Sequence, residues 1–257
     1  MTEDAFIIGN GVVGRATAKA LGIKHHFDLK ESNITLEEGA KKLFCFICLP
    51  TPTDEKSRQD KSRAQIASYI EQLKEYGGRN IFVIRSTILP GTCRALAEQF
   101  GVMVVSNPEF LCEATWEEDA VKPRMIVVGA DDIPSKTAVV NLWKPVKSKI
   151  RVETDTVTAE TLKYAFNTFY VTKVVWANQL FDMCEKNGAD YETIHKALHT
   201  HPEGSKNHFT ILHKGGRGAG GKCLPKDLKA FAKYSSSKLL KLVDELNDDY
   251  LHKSRKE

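Results

Sequence analysis

The stretch Gly9-Asn10-Gly11-Val12-Val13-Gly14 constrains this chain more than any other. It follows a short apolar run, Ala5-Phe6-Ile7-Ile8, and opens a helical pattern through Ala16, Ala18, Ala20 and Leu21. Strand, G-x-G-x-x-G, helix is the context that lifts this glycine motif above chance. The first glycine makes the tight turn, the second lets backbone approach a pyrophosphate, and the third lets helix pack against strand. N–H groups and the positive dipole end at the helix start would meet the phosphates. Gly9, Gly11, Val12, Val13 and Gly14 are thus candidate cofactor contacts. A chain that opens this way is expected to alternate strands and helices around a parallel sheet.

Asp28 ends the next candidate strand, His25-His26-Phe27, 19 residues after Gly9. An acid there binds the ribose hydroxyls of a dinucleotide, and its charge repels a 2′-phosphate, so NAD is expected over NADP. Lys30 softens that preference, and the plainer reading of Asp28 is a turn residue. Only 14 residues separate Asp28 from the next strand, so the first layer is short. The patterns predict strands at 43–49, 80–85, 102–105 and 125–128, and helices at 64–76 and 90–100. Leu162, Ala165, Phe166, Phe169, Trp176, Leu180 and Met183 recur at helical spacing and predict one long helix over 154–187. Shorter helices follow at 191–198 and 238–250. The fold expected is α/β: a Rossmann-type, mostly parallel sheet domain over 1–150, then an α-helical domain over 151–257 built on the long central helix.

Composition narrows the function classes. The 257 residues are 42% hydrophobic and carry a net charge of +4 from 37 basic and 33 acidic side chains. That charge is too small and dispersed to imply nucleic acid. No apolar run reaches membrane-spanning length, and the acidic N-terminus does not read as a secretory signal. Six cysteines at irregular spacing make no disulfide framework, so a cytoplasmic location is expected. Cys45 and Cys48 spell C-x-x-C inside an apolar strand, where residues three apart face opposite sides; packing is the expected role. His199, His201, His208 and His213 cluster without paired acids or cysteines at ligand spacing, so no metal is expected.

The chain's other informative stretch is Gly215-Gly216-Arg217-Gly218-Ala219-Gly220-Gly221-Lys222-Cys223-Leu224-Pro225-Lys226-Asp227. Glycines let backbone approach a ligand. A thiol beside Lys222, Lys226 and backbone N–H groups ionises more easily than an isolated one. Asp227, one helical turn on, can order a water or hold a lysine. A cysteine is more often a small core residue, but these surroundings are too polar and glycine-rich for a core.

Gly-Gly-x-Cys-Leu-Pro-Lys-Asp resembles the nucleophile motif of the UDP-glucose/GDP-mannose dehydrogenase family, and other family motifs recur in order. Leu49-Pro50-Thr51-Pro52-Thr53 resembles a turn that lies against the dinucleotide, implying Pro50 and Thr51 as cofactor contacts. Ser86-Thr87-Ile88-Leu89-Pro90-Gly91-Thr92 resembles its Ser-Thr-Val-x-Pro-Gly-Thr segment, giving Thr87 a cofactor and water-positioning role; capping the next helix is the structural alternative. Asn107-Pro108-Glu109-Phe110-Leu111-Cys112-Glu113-Ala114 is similar to Asn-Pro-Glu-Phe-Leu-x-Glu-Gly. The resemblance assigns acid–base work to Glu109, substrate contacts to Phe110 and Leu111, and the nicotinamide side to Glu113. Ala159-Glu160-Thr161-Leu162-Lys163-Tyr164-Ala165-Phe166-Asn167 resembles Ala-Glu-x-x-Lys-x-x-x-Asn. Lys163 and Asn167, four apart, share a helix face and would together steady an oxyanion. Gly220 is implied as a substrate contact.

The sequence also departs from the family. Asp119, Pro123 and Gly129 match D-x-x-x-P-x-R-x-x-x-G, but Arg124 comes one place early and Met125 stands at the arginine position. Where the family has Arg-Ile-Gly, with an arginine reaching a neighbouring subunit, this chain reads Ser205-Lys206-Asn207-His208-Phe209. That contact is either missing or supplied by Lys206, His208 or Arg217. The resemblance covers nearly all of the chain and two of the family's three domains. It implies a homodimer formed on the long helix and a four-electron oxidation of a nucleotide sugar by NAD, with Cys223 as nucleophile. Two alternatives stand beside it: a single two-electron oxidation of the hydroxyacid type, which needs no nucleophile, and an NAD-binding relic without turnover.

Overall fold

A computed structural model describes residues 2–51, 62–112, 114–202, 204, 207–212, 216–221 and 223–253. The chain packs as two units, one ending at Lys163 and the other beginning at Tyr164.

The first unit is a seven-stranded sheet. Its strands are β1 (Ala5–Ile8), β2 (His25–Phe27), β3 (Phe44–Ile47), β4 (Ile81–Ile84), β5 (Met103–Ser106), β6 (Met125–Gly129) and β7 (Ile150–Thr154), in spatial order β2-β1-β3-β4-β5-β6-β7. The five strands from β2 to β5 are parallel; β6 meets β5 antiparallel at Ser106 and Gly129, and β7 runs parallel to β6. Every residue of β1, β3 and β4 is buried, as strands covered on both faces must be. Ile7, Phe46 and Val83 enter one core, and Phe6, Cys45 and Phe82 the other. The same alternation separates Cys45 from Cys48. Burial pushes the Cys45 thiol well up and that of Cys48 up to about 11, so both remain packing residues.

Helices α1 (Val12–Leu21), α2 (Leu36–Ala40), α3 (Ser62–Glu75), α4 (Thr92–Phe100), α5 (Trp116–Val121) and α6 (Ile133–Trp143) lie between these strands. The long helix α7 spans Thr156–Asn187. It starts two residues later than the pattern predicts, because Thr154 closes β7 and Asp155 accepts the N–H of Thr158 at 2.9 Å. The N–H and hydroxyl of Thr158 bring the Asp155 carboxyl down to about 2.

The second unit comprises the rest of α7 with α8 (Tyr191–Thr200), α9 (Leu224–Ser235) and α10 (Lys238–Lys253). Val171, Val175, Ala219, Leu228 and Val243 form its core, and Tyr164 stacks on Phe231 with ring centroids 5.0 Å apart. Asn247 grips the glycine loop through both backbone groups of Ala219, at 2.7 and 3.1 Å. The α7 stripe read from the sequence is largely outside: Ala165, Phe169, Trp176 and Met183 are exposed, while Tyr164, Val171 and Val175 face inward.

Candidate active site

The glycine loop after β1 has the shape its motif requires. Gly9 has φ +97°, and a Cβ there would lie 2.5 Å from the Cys48 carbonyl oxygen. A Cβ on Gly14 would lie 1.9 Å from the Gly9 oxygen. Gly11 differs: nothing lies within 4 Å of where its Cβ would stand. The first and third glycines are therefore needed by the fold, and the second leaves a clear approach to the start of α1 for a pyrophosphate. Val12 is exposed and Val13 half-buried at that start. Asp28 Oδ2 accepts the Asn10 N–H at 2.7 Å and Oδ1 the Lys30 N–H at 3.0 Å. These two donors hold the Asp28 carboxyl below its ordinary value. Asp28 is thus an ionised anchor of the loop as well as a turn residue, and the residues present fit a dinucleotide.

Of the remaining cofactor candidates, Pro50 is exposed, Thr51 buried and Thr87 half-buried. Thr87 does not cap the next helix: α4 begins at Thr92 with Gly91 at the cap position. Glu113 lies outside the described residues, as do Pro52, Thr53, Lys206, His213 and Lys222.

Glu109, just beyond β5, is the centre of the first unit's polar cluster. Its Oε1 pairs with Lys163 Nζ at 3.1 Å, and its Oε2 accepts the Leu111 N–H at 2.6 Å. The Lys163 ammonium also stands 5.3 Å from the centroid of the Phe110 ring. Burial raises the Glu109 carboxyl, but Lys163, the Leu111 N–H and Arg85 outweigh it and leave it below its ordinary value. Glu109 is therefore present as carboxylate.

Two buried charged residues of this unit were not assigned roles from sequence. Arg85 donates to the Asn107 carbonyl and side-chain oxygens at 3.1 and 2.7 Å. Glu160 accepts the N–H groups of Gly91 and Cys93 at 2.6 and 2.7 Å, fixing the N-terminal part of α7 to the start of α4. Burial raises the Glu160 carboxyl. Glu160 sits inside a family motif, whereas the sequence signal for Arg85 is only its place immediately before one.

In the second unit, Cys223 is exposed and occupies the cap position of α9, and its carbonyl accepts the Asp227 N–H at 2.9 Å. A helix N-terminus favours negative charge on a thiol. Asp227 is almost fully buried and takes two partners: the Asn167 amide at 2.5 Å and the Lys226 ammonium at 2.5 Å. Gly220 is exposed, and Gly221 adopts φ +83°, a conformation suited to glycine. Arg217 is committed within this unit, donating to Asn178 and Asp182 and lying over Phe181 and Tyr250. His208 stacks on Tyr170 with centroids 4.5 Å apart. Among the described residues, no three His, Cys, Asp or Glu side chains gather as a metal site.

A mostly parallel sheet with a glycine loop at its first strand, continued into helices that carry a cap-position cysteine, defines a dinucleotide-type α/β protein with a second, helical unit. Residues 27–147 match the NAD binding domain of the UDP-glucose/GDP-mannose dehydrogenase family, and residues 157–249 match its central domain. The chain belongs to that family. It is 32% identical over 208 residues to a UDP-glucose 6-dehydrogenase of Rickettsia conorii, covering 79% of this chain and 47% of that protein. A UDP-glucose 6-dehydrogenase of Bacillus subtilis is 31% identical over 218 residues, covering 79% and 48%. The structure of a UDP-glucose dehydrogenase from Pyrobaculum islandicum superposes with a TM-score of 0.80 at 26% identity, over 95% of this chain and 67% of that one. The chain thus spans about half the length of the sequence relatives it matches. Among the described residues, no helix is long and apolar enough to cross a membrane.

Proposed function

We propose that this chain carries the NAD-dependent, four-electron oxidation of a nucleotide sugar of the UDP-glucose type, converting a primary alcohol to a carboxylate through Cys223. The observation that carries the reading is the 2.5 Å contact between Asn167 and Asp227, one turn from Cys223, which joins two family motifs 60 residues apart. NAD, when bound, supplies the hydride acceptor for two oxidations, alcohol to aldehyde and thiohemiacetal to thioester. Gly11 and the start of α1 receive its pyrophosphate, Asp28 its ribose, and Pro50, Thr51, Thr87 and Glu113 complete its contacts.

The Cys223 thiolate adds to the aldehyde carbon, and the oxygen gains the charge that Lys163 and Asn167 steady. Once the second hydride has left, water attacks the thioester carbon, Cys223 departs as thiolate and the product is a carboxylate. Asp227 and Glu109 move the protons and Thr87 orients the water. Covalent capture keeps the aldehyde from escaping between the two oxidations. Phe110, Leu111 and Gly220 contact the sugar. The protein works as a homodimer through the exposed face of α7, in a reducing cytoplasm that suits six cysteines all present as thiols.

The test is NADH formed per UDP-glucose consumed, for wild type and Cys223→Ser. Two NADH per sugar, lost in the variant, is the expected result. One NADH, indifferent to the variant, would move the assignment to a simple two-electron dehydrogenase. NAD binding without turnover on a panel of nucleotide sugars would make the chain a binding protein.

A further inference from the structure

We propose that Arg85 is a positioning residue for Glu109: its buried guanidinium fixes the turn that carries Glu109 and sets a second positive charge facing that carboxylate. The inference rests on the acid–base role given to Glu109 above.

Arg85 follows β4 directly and is 7% exposed. A guanidinium is rarely buried so deeply unless it is paired. A single nitrogen of it, Nη1, donates to Asn107 twice, at the carbonyl and at Oδ1. Asn107 is itself held on two more sides. Its amide donates to the Val127 carbonyl at 2.6 Å, and its Oδ1 accepts the Trp143 indole N–H at 2.9 Å. The guanidinium lies over the Trp143 ring, 5.0 Å from its centroid. Asn107 is two residues before Glu109, so this lock sets where the carboxylate stands.

Arg85 and Glu109 also line one small cavity of about 20 Å³, with Asn107, Met125 and Trp143 on its wall. The Arg85 Nε is buried there with no protein partner. Met125, at the position where the family pattern has an arginine, shares this wall, and the charged Asp119 and Arg124 line the same cavity. Among the described residues, Lys163 from α7 and Arg85 from the end of β4 act on Glu109, with Cys48 at the end of β3 beside them, and Asp119 of α5 and Arg124 before β6, paired with each other at 3.7 Å, line the same cavity. The Cys48 thiol is pushed up to about 11 and is neutral near pH 7, and Arg124 is paired with Asp119, so Lys163 and Arg85 are the cations that act on the Glu109 carboxylate. Lys163 bonds it directly, and Arg85 acts through the field and through Asn107.

The test titrates Glu109 in the full chain by NMR of carboxyl-labelled glutamate, with its signal identified by loss in E109Q. In parallel, hydrogen exchange of the Trp143 indole N–H is followed; the chain has three tryptophans. In folded R85M the Glu109 midpoint should rise by about one pH unit. In R85K, which keeps the charge on a side chain one atom shorter that stops short of Asn107, the midpoint should stay near wild type while the Trp143 indole exchanges roughly tenfold faster. An unmoved midpoint in folded R85M, or unchanged indole exchange in R85K, would overturn the proposal. If R85M does not fold, R85Q carries the charge arm and R85K the indole arm. Neither reading needs turnover. A shifted Glu109 in a chain that oxidises no sugar would therefore defeat the functional reading and leave this one standing.

Discussion

The Lys163 ammonium and the Glu109 carboxylate meet at 3.1 Å with side chains only 9% and 14% exposed. Removing one partner of such a pair leaves a charge in a low-dielectric setting, which costs about 3–5 kcal/mol. Lys163→Met should fall near the lower end, because Arg85 and the Leu111 N–H still face the carboxylate. The pH dependence has a definite sign. Glu109 is held below its ordinary 4.5 in the folded chain, so the unfolded chain binds its proton more readily. Its contribution is complete above that ordinary value and is lost as pH falls through the lower folded value. Urea unfolding of wild type and Glu109→Gln across this range should show a shallower slope in the variant, the remainder coming from other lowered carboxylates such as Asp28 and Asp155.

The glycine loop separates folding from binding at neighbouring positions. Gly14→Ala forces a methyl to within 1.9 Å of backbone oxygen, whereas Gly11→Ala meets nothing within 4 Å, and Gly11 has φ −73°, which alanine adopts readily. Gly14→Ala should unfold the first unit or lower its melting temperature by several degrees. Gly11→Ala should melt like wild type yet bind NAD at least ~10-fold more weakly, because its methyl enters the approach to the phosphates. Calorimetric NAD titration beside thermal melts reads both. Equal NAD affinity in Gly11→Ala would remove the phosphate role from this loop.

The parts of the fold legible in the sequence were those with strong local patterns. The runs in β1, β3 and β4 are apolar throughout because both faces are covered, and the glycine motif states its own geometry. β7 was missed because Ile150, Arg151 and Glu153 are exposed, leaving no alternation to read. The antiparallel entry of β6 was missed for a related reason, since strand direction is set by partners and not by local pattern. The site was legible as motifs, but its pairings were not. Nothing local says that Glu160 caps α4 from 67 residues away, or that Arg85 turns inward to Asn107. The α7 stripe shows the limit of periodicity: it identified a helix correctly but did not say which apolar face lies inside.

Phe169, Trp176 and Met183 are spaced by seven on α7, and each is about half exposed. An apolar row of this kind is the seam that pairs two helices. Trp176→Glu should make the protein monomeric by sedimentation velocity at concentrations where wild type is dimeric. Its melting temperature should fall as well, because Trp176 also packs edge-on against Phe209 at 5.4 Å. A wild-type chain that sediments as a monomer throughout would remove the dimer from the proposal.

Asp227 offers the sharpest test of the covalent route. Its carboxylate is buried between the Asn167 amide and the Lys226 ammonium, one turn from the thiol. Asp227→Asn keeps the shape and the hydrogen-bonding oxygen but removes the charge that a proton acceptor needs. If the group serves water attack on the thioester, steady turnover should fall by about 10²–10³-fold, while both oxidations still occur once. Rapid mixing with UDP-glucose should then release two NADH per active site in a burst, and intact mass should show the sugar acyl group on Cys223. No burst and no adduct would place Asp227 earlier, at activation of the thiol, since without thiolate nothing captures the aldehyde. Undiminished turnover would show that the buried pair with Lys226 is structural, and proton transfer would pass to Glu109 alone.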